Sequence, residues 1–245
     1  MATELSDGLD GRTAVVTGGA SGIGRATVDL LVAAGATVFA ADLNEPEAAD
    51  ASVRWVATDV TSDDTIHALV DSVLAAAGPP EVLVNAAGWD RIERFVENDF
   101  AFLEQIVEIN LLGVMKVTRA FLPSMIEAGR GKIVNVSSDA GRVGSSGETA
   151  YAGAKGGIIA FSKSVAREVA RSSIHVNCVC PGPTDTPLFA SLPDKLRASL
   201  EHAIPMGRLA RPEEVAHAIL FLCGQRSNFV TGQTLSVSGG LTMAG

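Results

Sequence analysis

The sequence predicts an α/β fold: a single-domain, doubly wound parallel sheet of about seven strands with helices on both faces. Two observations predict it. Short β-branched runs alternate with longer helical stretches through all 245 residues, and no Pro/Ser-rich linker separates them. Runs such as Ala14-Val15-Val16 and Val82-Leu83-Val84 are apolar without interruption, as strands must be when helices cover both sheet faces.

The strands fall at Thr13–Thr17, Thr37–Ala41, Val53–Ala57, Glu81–Asn85, Lys132–Ser137, Ile174–Cys180 and Gln233–Val237, each a short run carrying β-branched residues. Helical patterns between them cover Gly22–Ala34, Asp63–Ala76, Asn98–Ala128, Ala150–Arg171 and Pro212–Cys223. Right-handed crossovers then place ligands at the carboxyl ends of the strands. The region 183–210 lacks a strand pattern and reads as a helical insertion in a loop, the position of a substrate lid.

Composition narrows the function. Hydrophobic residues make up 47% and charged ones 19%, enough for a sizeable core and too apolar for disorder. A formal charge of −9 repels nucleic acid and anionic membranes, so neither is an expected partner. The charge-free stretch Leu30–Ala41 is too short to span a bilayer, and the acidic opening Met1–Asp10 lacks the regions of a signal peptide. Cys178, Cys180 and Cys223 form neither a disulfide framework nor a zinc spacing. They read as buried small hydrophobes in a reducing cytoplasm, and no metal site is expected.

The first strand leads into Thr17-Gly18-Gly19-Ala20-Ser21-Gly22-Ile23-Gly24, and a helix follows at once. Gly18, Gly22 and Gly24 let the backbone turn and approach a pyrophosphate, which meets the helix N-terminus beside Ser21 and Ile23. This is the Rossmann-type junction. Asp42 follows strand two, where its carboxylate can accept from a ribose diol and would repel a 2′-phosphate. No arginine or lysine occupies Gly18–Gly24, and Leu43 follows Asp42, so NAD is the expected cofactor rather than NADP; the other reading of Asp42 is an ordinary loop acid. Asp59 and Val60, after strand three, are placed to touch the adenine, although a plain turn aspartate also fits. Asn85-Ala86-Ala87-Gly88 ends strand four with small residues that let cofactor and backbone come close.

Tyr151, the chain's one tyrosine, stands four residues before Lys155 near the start of a helix, so both side chains share a face. A phenol of ordinary pKa about 10 is a poor base near neutrality, and an adjacent ammonium would lower it. Ser138, after strand five, can exchange hydrogen bonds with a substrate oxygen.

With these residues in order, the chain resembles the short-chain dehydrogenase/reductase family. Thr17–Gly24, Asn85–Gly88, Asn110, Ser138, Tyr151, Lys155 and Pro181-Gly182 carry the resemblance, which runs from Leu9 to Gly240. It implies a catalytic tetrad of Asn110, Ser138, Tyr151 and Lys155. Ser138 would position the substrate oxygen, Tyr151 would exchange its proton, Lys155 would hold the nicotinamide ribose, and Asn110 would anchor a relaying water. Ser138 is chosen over Ser137 by its family spacing from Tyr151. The resemblance also places Pro181, Gly182, Thr184 and Thr186 at the nicotinamide, and it implies a homotetramer. Ser238 departs from it, standing where many relatives carry an acid.

The implied reaction is reversible, NAD-dependent oxidation of a secondary alcohol to a ketone. The loops Gly88–Arg91, Ser138–Glu148 and Cys178–Thr186 resemble those of members acting on alicyclic β-hydroxyacyl-CoA thioesters. Arg91, Arg94 and Arg142 could then meet CoA phosphates, with Trp89 and Val143 as apolar walls; solvated surface charges are the other reading of these arginines. Alternatives are a small cyclic-alcohol dehydrogenase and a 3-oxoacyl-carrier-protein reductase, for which Arg130 and Arg171 would be docking cations. A regulator that kept the fold and lost the chemistry would usually lack Tyr151 or Lys155.

Overall fold

The computed structural model describes residues 6–45 and 51–243; the first five residues of the acidic opening stretch lie outside them. Seven strands form one sheet: β1 (Thr13–Thr17), β2 (Thr37–Asp42), β3 (Val53–Ala57), β4 (Val82–Asn85), β5 (Gly131–Val136), β6 (Ile174–Pro181) and β7 (Thr234–Val237). Every pairing is parallel, in the order β3-β2-β1-β4-β5-β6-β7. The chain winds outward from β1 to β3, then returns to start the other half at β4. Loops after β1 and β4 therefore diverge, and a crevice opens between them.

Alternating residues of the central strands feed two cores. Val16, Val84 and Val134 face α1 (Gly22–Ala33) and α9 (Pro212–Cys223), packing with Val28, Leu31, Val215 and Ile219. Val15, Leu83 and Ile133 face α2 (Asp63–Ala77), α4 (Gly113–Ala128) and α6 (Thr149–Val169), packing with Leu69, Phe121 and Val165. Each such fully buried side chain contributes about 1.5–3 kcal/mol, which fixes the strand ends that carry the site.

The single helix expected over Asn98–Ala128 is broken. Asp99 caps α3 (Phe100–Val107) by accepting from the Phe102 amide at 2.7 Å, a π-helical turn follows over Glu108–Leu112, and α4 begins at Gly113. Asn110 supplies the reason. Its side-chain amide donates to the Ile106 carbonyl at 3.0 Å, taking the acceptor a regular helix would give its backbone amide.

Between β6 and α9 lie two further helices, α7 (Pro187–Ala190) and α8 (Asp194–Ala203), both within the segment expected to be helical. The remaining short helix, α5 (Ala140–Val143), follows β5. No helix among the described residues is long and apolar enough to cross a membrane.

Candidate active site

A cleft of about 1030 Å³ runs along the carboxyl ends of the strands, from Asp42 and Asp59 at one end to Tyr151 and the α7–α8 segment at the other. Gly18, Ser21, Gly22, Ile23, Gly24, Ala86, Gly88, Val60, Pro181, Gly182, Thr184 and Thr186 all line it.

The glycine turn is built for a close ligand. Gly18 has φ +68°, and a Cβ there would stand 2.7 Å from the Ala87 backbone; one on Gly24 would meet the Gly18 carbonyl at 2.0 Å. Ser21, the residue before α1, makes no side-chain cap, so the first amides of that helix remain open to an anion. Asp42 Oδ2 accepts from the Ala20 amide at 3.0 Å, fastening the turn to the end of β2. Asp59 Oδ1 accepts from the amide and hydroxyl of Thr61, at 2.8 and 2.7 Å, so this carboxylate also organises its own turn. These residues fit a dinucleotide: open amides for its pyrophosphate and carboxylates for its ribose hydroxyls.

At the other end, Lys155 is buried, and its Nζ donates to the Val136 carbonyl at 3.0 Å and lies 5.5 Å from the Tyr151 ring centre. Burial lowers the lysine to about 8. Tyr151 departs from expectation. Burial, then Glu148 and Asp90, push its phenol well above the ordinary value, and a hydrogen bond with Ser138 opposes them only in part. Two carboxyl neighbours and a desolvated site outweigh the adjacent ammonium. Strand β5 stops at Val136, so both serines fall in the turn: Ser137 Oγ donates to the Lys155 carbonyl at 2.8 Å, while Ser138 meets Tyr151.

Two predicted residues point elsewhere than the cleft. Asn110 is fully buried and clasps the Trp89 backbone, donating to its carbonyl at 2.7 Å and accepting from its amide at 3.2 Å. A Cβ on Gly88 would lie 3.0 Å from Asn110 Oδ1 and 3.3 Å from Lys155 Nζ, so the two side chains converge beneath that loop. The Asn85 side chain joins a buried network, donating to Asn135 at 2.8 Å and Thr118 at 3.1 Å. Trp89 and Val143 line the cleft; Arg91 and Arg142 are not among its lining residues. Arg91 pairs with Glu93 at 2.9 Å and lies 4.4 Å from the Phe102 ring centre.

The structure adds residues that sequence reasoning passed over. Asp90 and Glu148 line the cleft beside Tyr151; for Glu148, its place three residues before Tyr151 was a usable signal. Buried Asp139, next to Ser138, accepts from Ser236 Oγ of β7, which lies 2.6 and 2.8 Å from its two oxygens. Ser236 also lies 3.1 Å from Ser238, whose hydroxyl accepts from the Thr242 amide. An acid is thus present here on β5's side of the pair, while Ser238 fills the position noted as a departure. Leu188, Phe189, Leu192 and Leu200 bring apolar surface from the α7–α8 segment, and Thr186 caps α7 by accepting from Phe189 at 3.2 Å.

Comparison with known proteins shows the family. The family described as Enoyl-(Acyl carrier protein) reductase matches residues 18–242. Cis-4-hydroxycyclohexanecarboxylate dehydrogenase of Sinomonas cyclohexanicum is 45% identical over 94% of this chain and 96% of its own length. The 3-oxoacyl-[acyl-carrier-protein] reductase of Thermotoga maritima is 40% identical, over 96% and 99%. Among solved structures, the ligand-free aldohexose dehydrogenase of Thermoplasma acidophilum superposes with a TM-score of 0.90 at 30% identity, covering 98% of this chain and 97% of that one. Sheet order, cleft and relatives agree: the chain is an oxidoreductase that belongs to the short-chain dehydrogenase/reductase family.

Proposed function

We propose that the enzyme uses NAD to oxidise a secondary alcohol on an alicyclic ring to the ketone, reversibly. The charge lining the cleft carries this reading. Its acids are Asp42, Asp59, Asp90, Glu108, Asp139 and Glu148, and its one cation among the described residues is Lys155. A 2′-phosphate on the adenosine ribose would meet Asp42 with no cation to receive it. The ring is supported by the apolar walls Trp89, Val143, Leu188 and Leu192, and by the relative that acts on a hydroxycyclohexanecarboxylate.

Each residue then has a task. The open amides of α1 hold the pyrophosphate, and Asp42 accepts from the ribose hydroxyls. When bound, the nicotinamide takes or gives the hydride, and its positive charge in the oxidised form favours the tyrosinate. Tyr151 moves the proton of the substrate oxygen, which Ser138 orients. Lys155 holds a ribose and supplies a nearby cation; Asn110 fixes the Trp89 loop above it. The segment 183–210 closes over the ring, excluding water. The three buried free thiols suit a reducing cytoplasm. Exposed Phe221, Phe229 and Leu235, on or near edge strand β7, suit burial in a homotetramer.

A thioester such as 2-hydroxycyclohexanecarboxyl-CoA is a second reading, supported by the loop resemblance, with Arg91 and Arg142 as phosphate partners. Reduction of a 3-oxoacyl carrier protein is a third, supported by the 40%-identical relative. Arg91, engaged by Glu93, favours the plain ring alcohol. Measuring kcat/KM for 4-hydroxycyclohexanecarboxylate, its CoA thioester and cyclohexanol, each with NAD and NADP, tests the set. We expect NAD to exceed NADP by about tenfold or more, and the thioester to gain nothing over the unesterified alcohols. A thioester advantage that Arg91→Ala abolishes would replace this reading with the second.

A further inference from the structure

Asp139 sits in the turn that carries Ser138, and three elements hold it. Its amide donates to the Pro181 carbonyl of β6 at 3.0 Å, and its carbonyl accepts from the Arg142 and Val143 amides of α5 at 2.9 and 3.1 Å. Its buried carboxylate reaches past β6 to β7, where the Ser236 hydroxyl lies 2.6 and 2.8 Å from the two oxygens. Ser236 pairs in register with Cys180, the residue before Pro181, so the contact spans the width of one strand.

Ser138 depends on this turn for its direction. Its Oγ accepts from the Ala140 amide at 3.1 Å, and Asp139 is the one residue between them. A shift of the backbone at Asp139 is therefore carried to the hydroxyl that meets Tyr151. The contact also continues beyond Ser236. Ser238 lies 3.1 Å from it and accepts from the Thr242 amide at 3.3 Å, and Leu241 and Thr242 line the cleft. Ser236 itself is not among the cleft's lining residues, so any effect it has on the reaction passes through its neighbours.

We propose that Asp139 is a positioning residue for alcohol oxidation. By accepting from the Ser236 hydroxyl it fixes the Ser138 turn against β7, and so sets the direction of the Ser138 hydroxyl toward the substrate oxygen. The inference rests on the orienting role given to Ser138 above and deepens it. No proton of the reaction passes through the pair; its part is geometric. Rate falls steeply when a group at the reacting centre is displaced, even by a change some way from the chemistry. Loss of the contact therefore lowers kcat. Cofactor affinity stays, because the glycine turn after β1 and Asp42 at the end of β2 lie in the other half of the sheet.

The test measures kcat and KM on whichever of 4-hydroxycyclohexanecarboxylate, its CoA thioester and cyclohexanol the wild type turns over fastest, with the better of NAD and NADP. The variants are Asp139→Ala, Ser236→Ala, Ser236→Thr and Ser138→Ala, with each of the first two also combined with Ser138→Ala. Ser236→Ala breaks the contact from the β7 side and leaves Asp139 in place. We expect kcat to fall at least about tenfold in Asp139→Ala and in Ser236→Ala, with NADH affinity within about twofold of wild type. Ser236→Thr keeps a hydroxyl and should hold kcat within about threefold of wild type. Ser138→Ala alone should cost about 100-fold. Adding either alanine to it should cost no more than about threefold, because both act through the same group. Unchanged kcat in Asp139→Ala and Ser236→Ala overturns the proposal. So do losses that multiply in full with that of Ser138→Ala, the mark of a purely structural role. A Ser138→Ala enzyme as active as wild type sinks the role of Ser138 itself. Absence of wild-type turnover with all three substrates sinks the alcohol oxidation on which both roles depend.

Discussion

The two ends of the cleft are built differently. The adenine end comes from one stretch of chain, β1 through the turn after β3, and its shape lies mostly in the backbone: the tight turn at Gly18, the close approach at Gly24 and the uncapped start of α1. The catalytic end is assembled from the loops after β4, β5 and β6, the start of α6 and strand β7, and its shape lies in side chains. A binding site for a common ligand needs only one rigid local frame. A site that chooses among substrates draws on many segments, each free to vary without disturbing the rest.

The sharpest way to test this division is Tyr151→Phe. Turnover is expected to fall by at least about 100-fold, the loss of a positioned acid or base, while NADH affinity by fluorescence titration stays near wild type. Activity above a tenth of wild type would show that the chemistry is not concentrated there.

Lys155 offers a different break, through stability. Its folded value of about 8 lies below the ordinary 10.5, so between those values the unfolded chain binds more protons than the native one. Stability due to this group therefore rises with pH across that window; it is complete above 10.5 and lost below about 8. In urea titrations of the cofactor-free protein, the stability of wild type relative to Lys155→Met should rise by roughly 2–3 kcal/mol from pH 8 to 10.5. A flat difference would mean that the lysine is less desolvated than its surroundings indicate.

The smallest expected effect lies at the adenine end. Asp42→Ala combined with Leu43→Arg should move the NAD-to-NADP ratio of kcat/KM by about tenfold towards NADP. Efficiency with both cofactors should also drop, because Asp42 anchors the Ala20 amide. A ratio that stays put would show that Asp42 serves the turn alone.

This difference also explains what was legible in the sequence. The parallel sheet and the glycine turn were readable because uninterrupted apolar strands and local backbone requirements leave marks in adjacent residues; the order of the strands was not. Tyr151 and Lys155 were readable because helical spacing puts them on one face. Asn110 was placed in the tetrad by the family resemblance alone; the π-turn in which it sits, and its clasp on the Trp89 backbone 21 residues away, lie beyond any periodicity. Asp90 with Glu148, and Asp139 with Ser236, are unremarkable acids and hydroxyls until folding brings each pair together. The arginines after β4 and β5 were read by their strand ends, but Arg91 turns to the nearer Glu93. Short-range pairing decided its direction, which a strand position does not reveal.

The Asp139–Ser236 contact has a consequence for the order in which the enzyme becomes complete. Synthesis delivers β1 through β6, with the glycine turn, Tyr151 and Lys155, before it delivers β7. Until Ser236 arrives, buried Asp139 lacks that hydroxyl, and the turn bearing Ser138 is not fastened to the sheet's last strand. A growing chain can thus assemble its dinucleotide half early while its proton-handling half stays loose.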